Sequence, residues 1–247
     1  MKHKKDTSPR IPQRDKLKGK LELKPLKWTD KQQKFLDLAL NKDTKIIFIS
    51  GPAGSSKTVL AAYAALELIN QKRVSDILYV RSAVESADSK LGYLPGEVDD
   101  KIFYYGVPFM DKMDELLNNA DAQLLTKENR ISIFPVNYVR GQSWNARAVI
   151  IDEAQNMTEK ELITVLTRLG QFSKCFVLAD PMQSDINGKS GGFERIAHLF
   201  NDEESRNKGI HYFEFSEEDI MRSELCKFLV KRFNYLKKPS ECSKPEK

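Results

Sequence analysis

The sequence predicts an α/β fold in which a mainly parallel sheet is covered by helices on both faces. Three observations carry this expectation. The predicted strands are apolar along their whole length, as strands buried on both faces are. They alternate with helical segments, the pattern of parallel strands joined by crossovers. Two of them end in carboxylates, Asp152 and Asp180, at the strand ends where open parallel sheets place their ligands.

The elements follow in chain order. Thr29 is a capping residue ahead of a short helix with apolar positions at 35, 36, 38, 39 and 40. Residues 45–50 (KIIFIS) form a β-branched run ending at Gly51, and 58–69 (TVLAAYAALELI) are rich in helix-forming Ala and Leu. Segments 76–80, 130–136, 148–152 and 174–180 read as further strands, with a helix over 159–169 between the last two. Residues 1–25 are polar, with prolines at 9, 12 and 25, and read as a flexible basic arm. Residues 236–247 read as a flexible basic tail, and 26–235 as one domain with a long insertion over 84–115.

Of the 247 residues, 30% are charged and 40% hydrophobic, which fits a globular chain. No apolar run approaches the ~18 residues of a membrane span. The basic start lacks the apolar stretch of a secretory signal. No membrane contact and a cytoplasmic location are therefore expected. Cys175, Cys226 and Cys242 form no CxxC pair, which argues against a disulfide scaffold or a cysteine zinc site. The net charge of +5 is unevenly placed: +6 over residues 1–25, −6 over the next 200, and +5 over 226–247. Basic arms suit a polyanion such as nucleic acid, because neutralised phosphates release counterions. A solubilising role explains them equally well.

Gly51-Pro52-Ala53-Gly54-Ser55-Ser56-Lys57-Thr58 lies between a predicted strand and a predicted helix and follows GxxxxGK[ST], with Ser56 in place of the second glycine. Such a loop exposes backbone N–H groups to phosphate oxygens, and the next helix points its positive end at the same anion. Lys57 would neutralise the β- and γ-phosphates of ATP, and the Thr58 hydroxyl would ligate Mg²⁺. The Ser56 Cβ stands where backbone and phosphate approach most closely. Asp152 would hold the Mg²⁺ shell and Glu153 would polarise the attacking water as general base. Gln183, after Asp180-Pro181-Met182, can bond both the γ-phosphate and that water. Gln32 can meet the donor and acceptor of an adenine edge with one side chain. Each feature has a plainer reading as a turn, an acid-ended strand or a surface glutamine. Their order, Q…GxxxxxKT…DEAQ…DPxQ, favours the chemical one.

This order resembles superfamily 1 helicase motors and, more closely, the PhoH family of ATPases, over roughly residues 28–235. Residues 51–58 look like the family's GPAGTGKT, and 91–96 (LGYLPG) like its LG[FY]LPG. Residues 138–145 (YVRGQSWN) are similar to its Y-x-RGRT-x-x-N element, and 152–156 and 180–183 to its DEAQN and GDP-x-Q. Residues 215–222 (FSEEDIMR) look like its F-x-x-x-DVVRH end. Three positions depart: Ser56 and Ala179 replace Gly, and Ser223 stands where His is usual. The resemblance implies a single RecA-like P-loop NTPase domain that hydrolyses ATP. It also implies a homo-oligomeric ring, a hexamer being one size, acting as a motor on RNA or single-stranded nucleic acid.

One lobe offers half a site. An arginine that stabilises the γ-phosphoryl charge would then come from a neighbour, with Arg222, Arg81 and Arg140 as candidates. The insertion aromatics Phe103, Tyr104, Tyr105 and Phe109 read as packing inside a small helical unit, ahead of stacking on bases. The alternative to a motor is an ATP-dependent assembly switch with slow hydrolysis and no helicase activity. Ser56 and the missing second lobe favour the switch, and the intact Glu153 favours hydrolysis.

Overall fold

The computed structural model describes residues 14–82, 98–139, 141–184, 192–221 and 223–234, with backbone alone for 98–105. In chain order the elements are α1 (Asp30–Leu40), β1 (Ile46–Ser50), α2 (Lys57–Asn70), β2 (Asp76–Arg81), α3 (Val98–Leu116), α4 (Asn119–Lys127) and β3 (Ile131–Pro135). Then come β4 (Arg147–Asp152), α5 (Glu159–Leu166), β5 (Lys174–Ala179), α6 (Gly192–Leu199), α7 (Glu203–Asn207), β6 (Ile210–Glu214) and α8 (Glu224–Asn234). The strands form one six-stranded, all-parallel sheet in the order β3-β2-β4-β5-β1-β6. The expected α/β architecture is therefore present, and each strand read from the sequence lies within a residue or two of its predicted place.

Alternation along the strands builds two cores. Ile47, Ile49, Ile77, Tyr79, Ile150 and Leu178 face α1, α2 and α3. Phe48, Leu78, Val80, Ile151 and Val177 face α5 and α6. Both faces of the sheet are thus dry, which is why the strands are apolar throughout. In α2, the alanines at 61, 62, 64 and 65 are fully buried, so this helix lies close under the sheet and holds its first turn firmly below the loop.

Two expectations need correction or refinement. Residues 14–25 are not a free arm. Leu17 and Leu21 are 2% and 1% exposed within the α1–α3 core, while Lys16, Lys18 and Lys20 stay in solvent. Leu21 N donates to Asn70 Oδ1 (2.8 Å), Asn70 Nδ2 returns a bond to Leu21 O (3.1 Å), and Arg14 pairs with Asp76 at 3.0 Å. The lysines masked two inward leucines spaced four apart.

In the insertion, α3 continues through Pro108, and Phe109 is fully buried with its ring stacked 4.5 Å from Tyr79. Phe109 therefore packs inside. The side chains of Phe103, Tyr104 and Tyr105, residues 83–97 and the tail 236–247 lie outside the described residues. No described helix is long and apolar enough to cross a membrane.

Candidate functional site

The loop after β1 is shaped by close packing. A Cβ at Gly51 would stand 2.7 Å from the Phe215 Cβ, so only glycine fits. Gly51 N donates to Ala179 O (3.2 Å), and Ser55 Oγ donates to Pro52 O (2.8 Å), which closes the loop on itself. Gly54 and Ser56 both take left-handed backbone, at φ 83 and φ 62. Lys57 opens α2, and its Nζ donates to Gly51 O (2.6 Å) and Pro52 O (2.8 Å). Burial lowers the Lys57 pKa from the ordinary lysine value, against the pull of Asp180, Asp152 and Glu153.

The sheet order then sets the spacing of charges. β5 stands between β1 and β4, so Asp180 after β5 lies between the loop and Asp152 at the end of β4. Asp152 accepts from the Tyr79 hydroxyl (2.9 Å), the Thr58 hydroxyl (3.2 Å) and Glu153 N (2.9 Å). Burial raises the Asp152 pKa, and the Glu153 charge adds to it. Burial also raises that of Asp180, with Lys57 opposing. The buried Tyr79 hydroxyl is held well above its usual pKa, first by burial and then by Asp152, so it stays a donor.

Glu153 adopts left-handed backbone, φ 53 and ψ 38, a conformation that costs a non-glycine residue about 1–2 kcal/mol. Such strain persists where the surroundings fix it, often at functional sites. Here Gln155 Nε2 donates to the Glu153 carboxylate (2.5 Å), Arg81 stands 3.6 Å from it, and Gln155 Oε1 accepts from Asp180 N (3.0 Å). Gln155 thereby ties the end of β4 to the end of β5.

Lys57, Thr58, Asp152, Glu153 and Asp180 surround one cavity of about 500 Å³. Backbone N–H groups at a helix start beside a lysine suit a phosphate. Thr58 and Asp152 supply the hard oxygen donors that Mg²⁺ takes. Among the described residues no group of three His, Cys, Asp or Glu could hold a metal by itself. A cation here would share its shell with phosphates and water, as Mg²⁺ does.

A family model described as PhoH-like protein matches residues 25–234. The chain belongs to the PhoH family. It is 32% identical over 209 residues to a PhoH-like protein of Mycobacterium tuberculosis, a match covering 84% of this chain and 57% of that one. It is 31% identical over 198 residues to a PhoH-like protein of Bacillus subtilis, covering 80% and 60% respectively. Against Protein PhoH of Escherichia coli K12 the identity is 33% over 185 residues, covering 74% and 51%. The chain thus spans little more than half the length of these curated relatives. The docked segment 14–24 lies ahead of the family match.

In this PhoH-family chain, Ala53, Gly54, Ser56, Lys57, Thr58, Asp152, Glu153 and Gln183 line the same cavity. Gly51 and Pro52 line an adjoining cleft with Phe215, and Ser55 is buried beneath the loop. Gln32 is absent from the cavity lining. It is 2% exposed, and its Oε1 accepts from Thr29 N (3.0 Å) in the capping box of α1. Arg222 and Arg140 lie outside the described residues. Arg81 is described, and β2–β4 register sets it beside Asp152 of its own chain.

Sequence reasoning missed Tyr79, Lys112, Glu115 and the bridging role of Gln155. Tyr79 left a faint signal, a hydroxyl inside an otherwise aliphatic strand. Lys112 and Glu115 reach the cavity from α3 and left none.

Proposed function

We propose that this chain hydrolyses ATP with Mg²⁺ and acts as a single-lobe motor on RNA or other single-stranded nucleic acid, assembled as a homo-oligomer. One observation carries the reading: Lys57, Asp152, Glu153 and Asp180 surround one cavity, with the Thr58 hydroxyl 3.2 Å from Asp152. Mg²⁺, when bound, neutralises charge on the β- and γ-phosphate oxygens. Thr58 and Asp152 would hold it, and Tyr79 fixes which way Asp152 points. Lys57 exchanges two carbonyl partners for phosphate oxygens, a stronger charge-assisted bond. Glu153 takes the proton of the attacking water. Gln183 lies at the cavity rim, where it can sense the γ-phosphate. Gln32 meets adenine only by releasing Thr29, at a cost of about 0.5–1.5 kcal/mol. Arg81 supplies positive charge in cis, and Arg222 is the proposed contribution from a neighbour. Self-association is supported by the exposed Leu225, Phe228, Leu229 and Phe233 on α8. That helix starts three residues after Met221, which lines the cavity.

The test is phosphate release with and without single-stranded RNA. Glu153→Gln should bind ATP and turn over ~10²–10⁴-fold more slowly, the usual share of a general base. Lys57→Ala should lose ATP binding. Wild-type turnover in Glu153→Gln would place the base elsewhere. The assembly-switch reading is favoured by the engagement of the Glu153 carboxylate with Gln155 and Arg81. Slow turnover indifferent to RNA, with ATP-dependent sedimentation, would select it.

A further inference from the structure

At the end of the sheet opposite the phosphate loop, the segments leading into β1, β2, β4 and β5 enclose a groove of about 1040 Å³. Six cations line it, namely Lys16, Lys42, Lys45, Lys72, Arg73 and Lys174, and none of its described lining residues is a carboxylate. Three of the six are anchored. Lys174 Nζ donates to Ala39 O and Asn41 O, both at 2.6 Å. Arg73 donates to Leu40 O and Asn41 O, and Lys72 to Leu17 O and Gly19 O. These bonds tie down the end of α1 and the docked segment. Their acceptors are neutral carbonyls, so the positive field is not cancelled. Burial and the nearby Arg73 lower the Lys174 pKa to about 7, with Asp43 opposing, so Lys174 carries only part of a charge at neutral pH and the field rests on the other five. Lys16, Lys42 and Lys45 are exposed at the rim.

Phe172 differs from the other apolar lining side chains: Leu68, Val74 and Ala146 are buried and Leu169 is half-buried. Phe172 is 71% exposed and sits on left-handed backbone, φ 62. A phenyl ring in water on a strained turn gains nothing for folding. Over a floor of cations it offers a flat apolar face, the combination that single strands use: phosphates on lysines and a base on a ring. A duplex would present its phosphates but keep its base faces stacked.

We propose that this groove binds single-stranded nucleic acid, with backbone phosphates on Lys16, Lys42 and Lys45 and one base stacked on Phe172. The site stands apart from the nucleotide cavity and needs no ATP. It also accounts for the basic N-terminal charge differently from a free arm. Packing of Leu17 and Leu21 delivers Lys16 to the rim, from a segment that precedes the family match.

The experiment titrates the full chain, without nucleotide, against labelled oligouridylate and oligothymidylate of about 10 nucleotides, within the usual site size. Anisotropy is read at two salt concentrations. Lys42→Glu/Lys45→Glu should weaken binding at least ~10-fold and lower the log–log salt slope by about 1.4, at ~0.7 per lost phosphate contact. Phe172→Ala should weaken it about 5- to 150-fold, one stacked base, with the slope unchanged. Both variants alter exposed residues and should melt within a few degrees of wild type. Lys57→Ala should bind both oligonucleotides as wild type does, which separates this site's failure from failure of the ATPase reading. Equal affinity for the two oligonucleotides supports recognition by phosphate and base alone, and tighter RNA binding supports an added 2′-hydroxyl contact. A wild-type slope in the charge-reversed variant would overturn the proposal. So would undiminished affinity in Phe172→Ala, or a blunt duplex bound as tightly as the single strand.

Discussion

At Ser56 the backbone stands at φ 62 and ψ 19, immediately before the first residue of α2. A side chain there costs about 1–2 kcal/mol that glycine avoids. Ser56→Gly is therefore expected to raise the melting temperature by about 2–8 °C for a chain of this size, with ATP affinity equal or tighter. A lower melting temperature by calorimetry would mean that the Ser56 side chain makes a stabilising contact that outweighs the backbone cost. The sequence located the cost of Ser56 in crowding of the phosphates; the backbone angle adds a cost that is paid without any ligand. Tyr79 gives a second residue-level expectation. Its hydroxyl orients the carboxylate proposed to hold Mg²⁺, and loss of such a support commonly costs 10–100-fold in metal affinity. Tyr79→Phe should raise the Mg²⁺ concentration for half-maximal ATPase by about that factor. If only the melting temperature moved, the tyrosine would be packing alone.

Among the elements, the segment 14–24 carries the clearest stability consequence. Leu21 is 1% exposed, and truncating a buried leucine to alanine costs about 2–5 kcal/mol. Leu21→Ala should fall in that range by urea unfolding. Removing residues 1–24 should lower the unfolding midpoint well below that of a chain lacking only 1–13. Equal midpoints for the two truncations would show that the docking contributes nothing. The segment was illegible because its composition is that of a solvated arm, and two leucines among lysines make no periodic signal. α3 was foreseen as part of a small helical unit, but without bounds. Gly106 and Pro108 argue against a helix, yet burial of Phe109 against Tyr79 overrides propensity. β6 mixes His211 and Glu214 with apolar residues because it is an edge strand, half-exposed beside β1, so it lacked the continuous apolar run that revealed the other strands.

The whole molecule has a chemical polarity that follows from its parallel sheet. Every strand points the same way, so the phosphate loop and carboxylates gather at one end and the cationic groove at the other. β1, β4 and β5 each run from one end to the other, and β1 is five residues long, roughly 17 Å at the usual rise per residue. The loop and carboxylate end was legible because its residues sit in short contiguous motifs. The groove was not, since its lysines come from four separate segments that only folding assembles. α8 lies outside this frame. Its largest side chains are more than 40% exposed at Leu225, Phe228, Leu229 and Phe233, and an isolated helix of its 11 residues is marginal in water, where about 12–15 are needed. In dilute monomer its amides should exchange with deuterium orders of magnitude faster than those of β1 and β5. Protection equal to the central strands would mean that α8 is packed in solution.

The left-handed backbone at Glu153 bears on how this gene can drift. Glycine is the residue that φ 53 accepts most readily, and a glutamate codon reaches it by one base change. Under selection for a well-folded protein alone, both 56 and 153 should move toward glycine. At 56 that change leaves the proposed chemistry intact; at 153 it deletes the general base. Glutamate retained at 153 in a population would therefore be a mark of selection for turnover, legible from sequenced variants without a single enzyme assay.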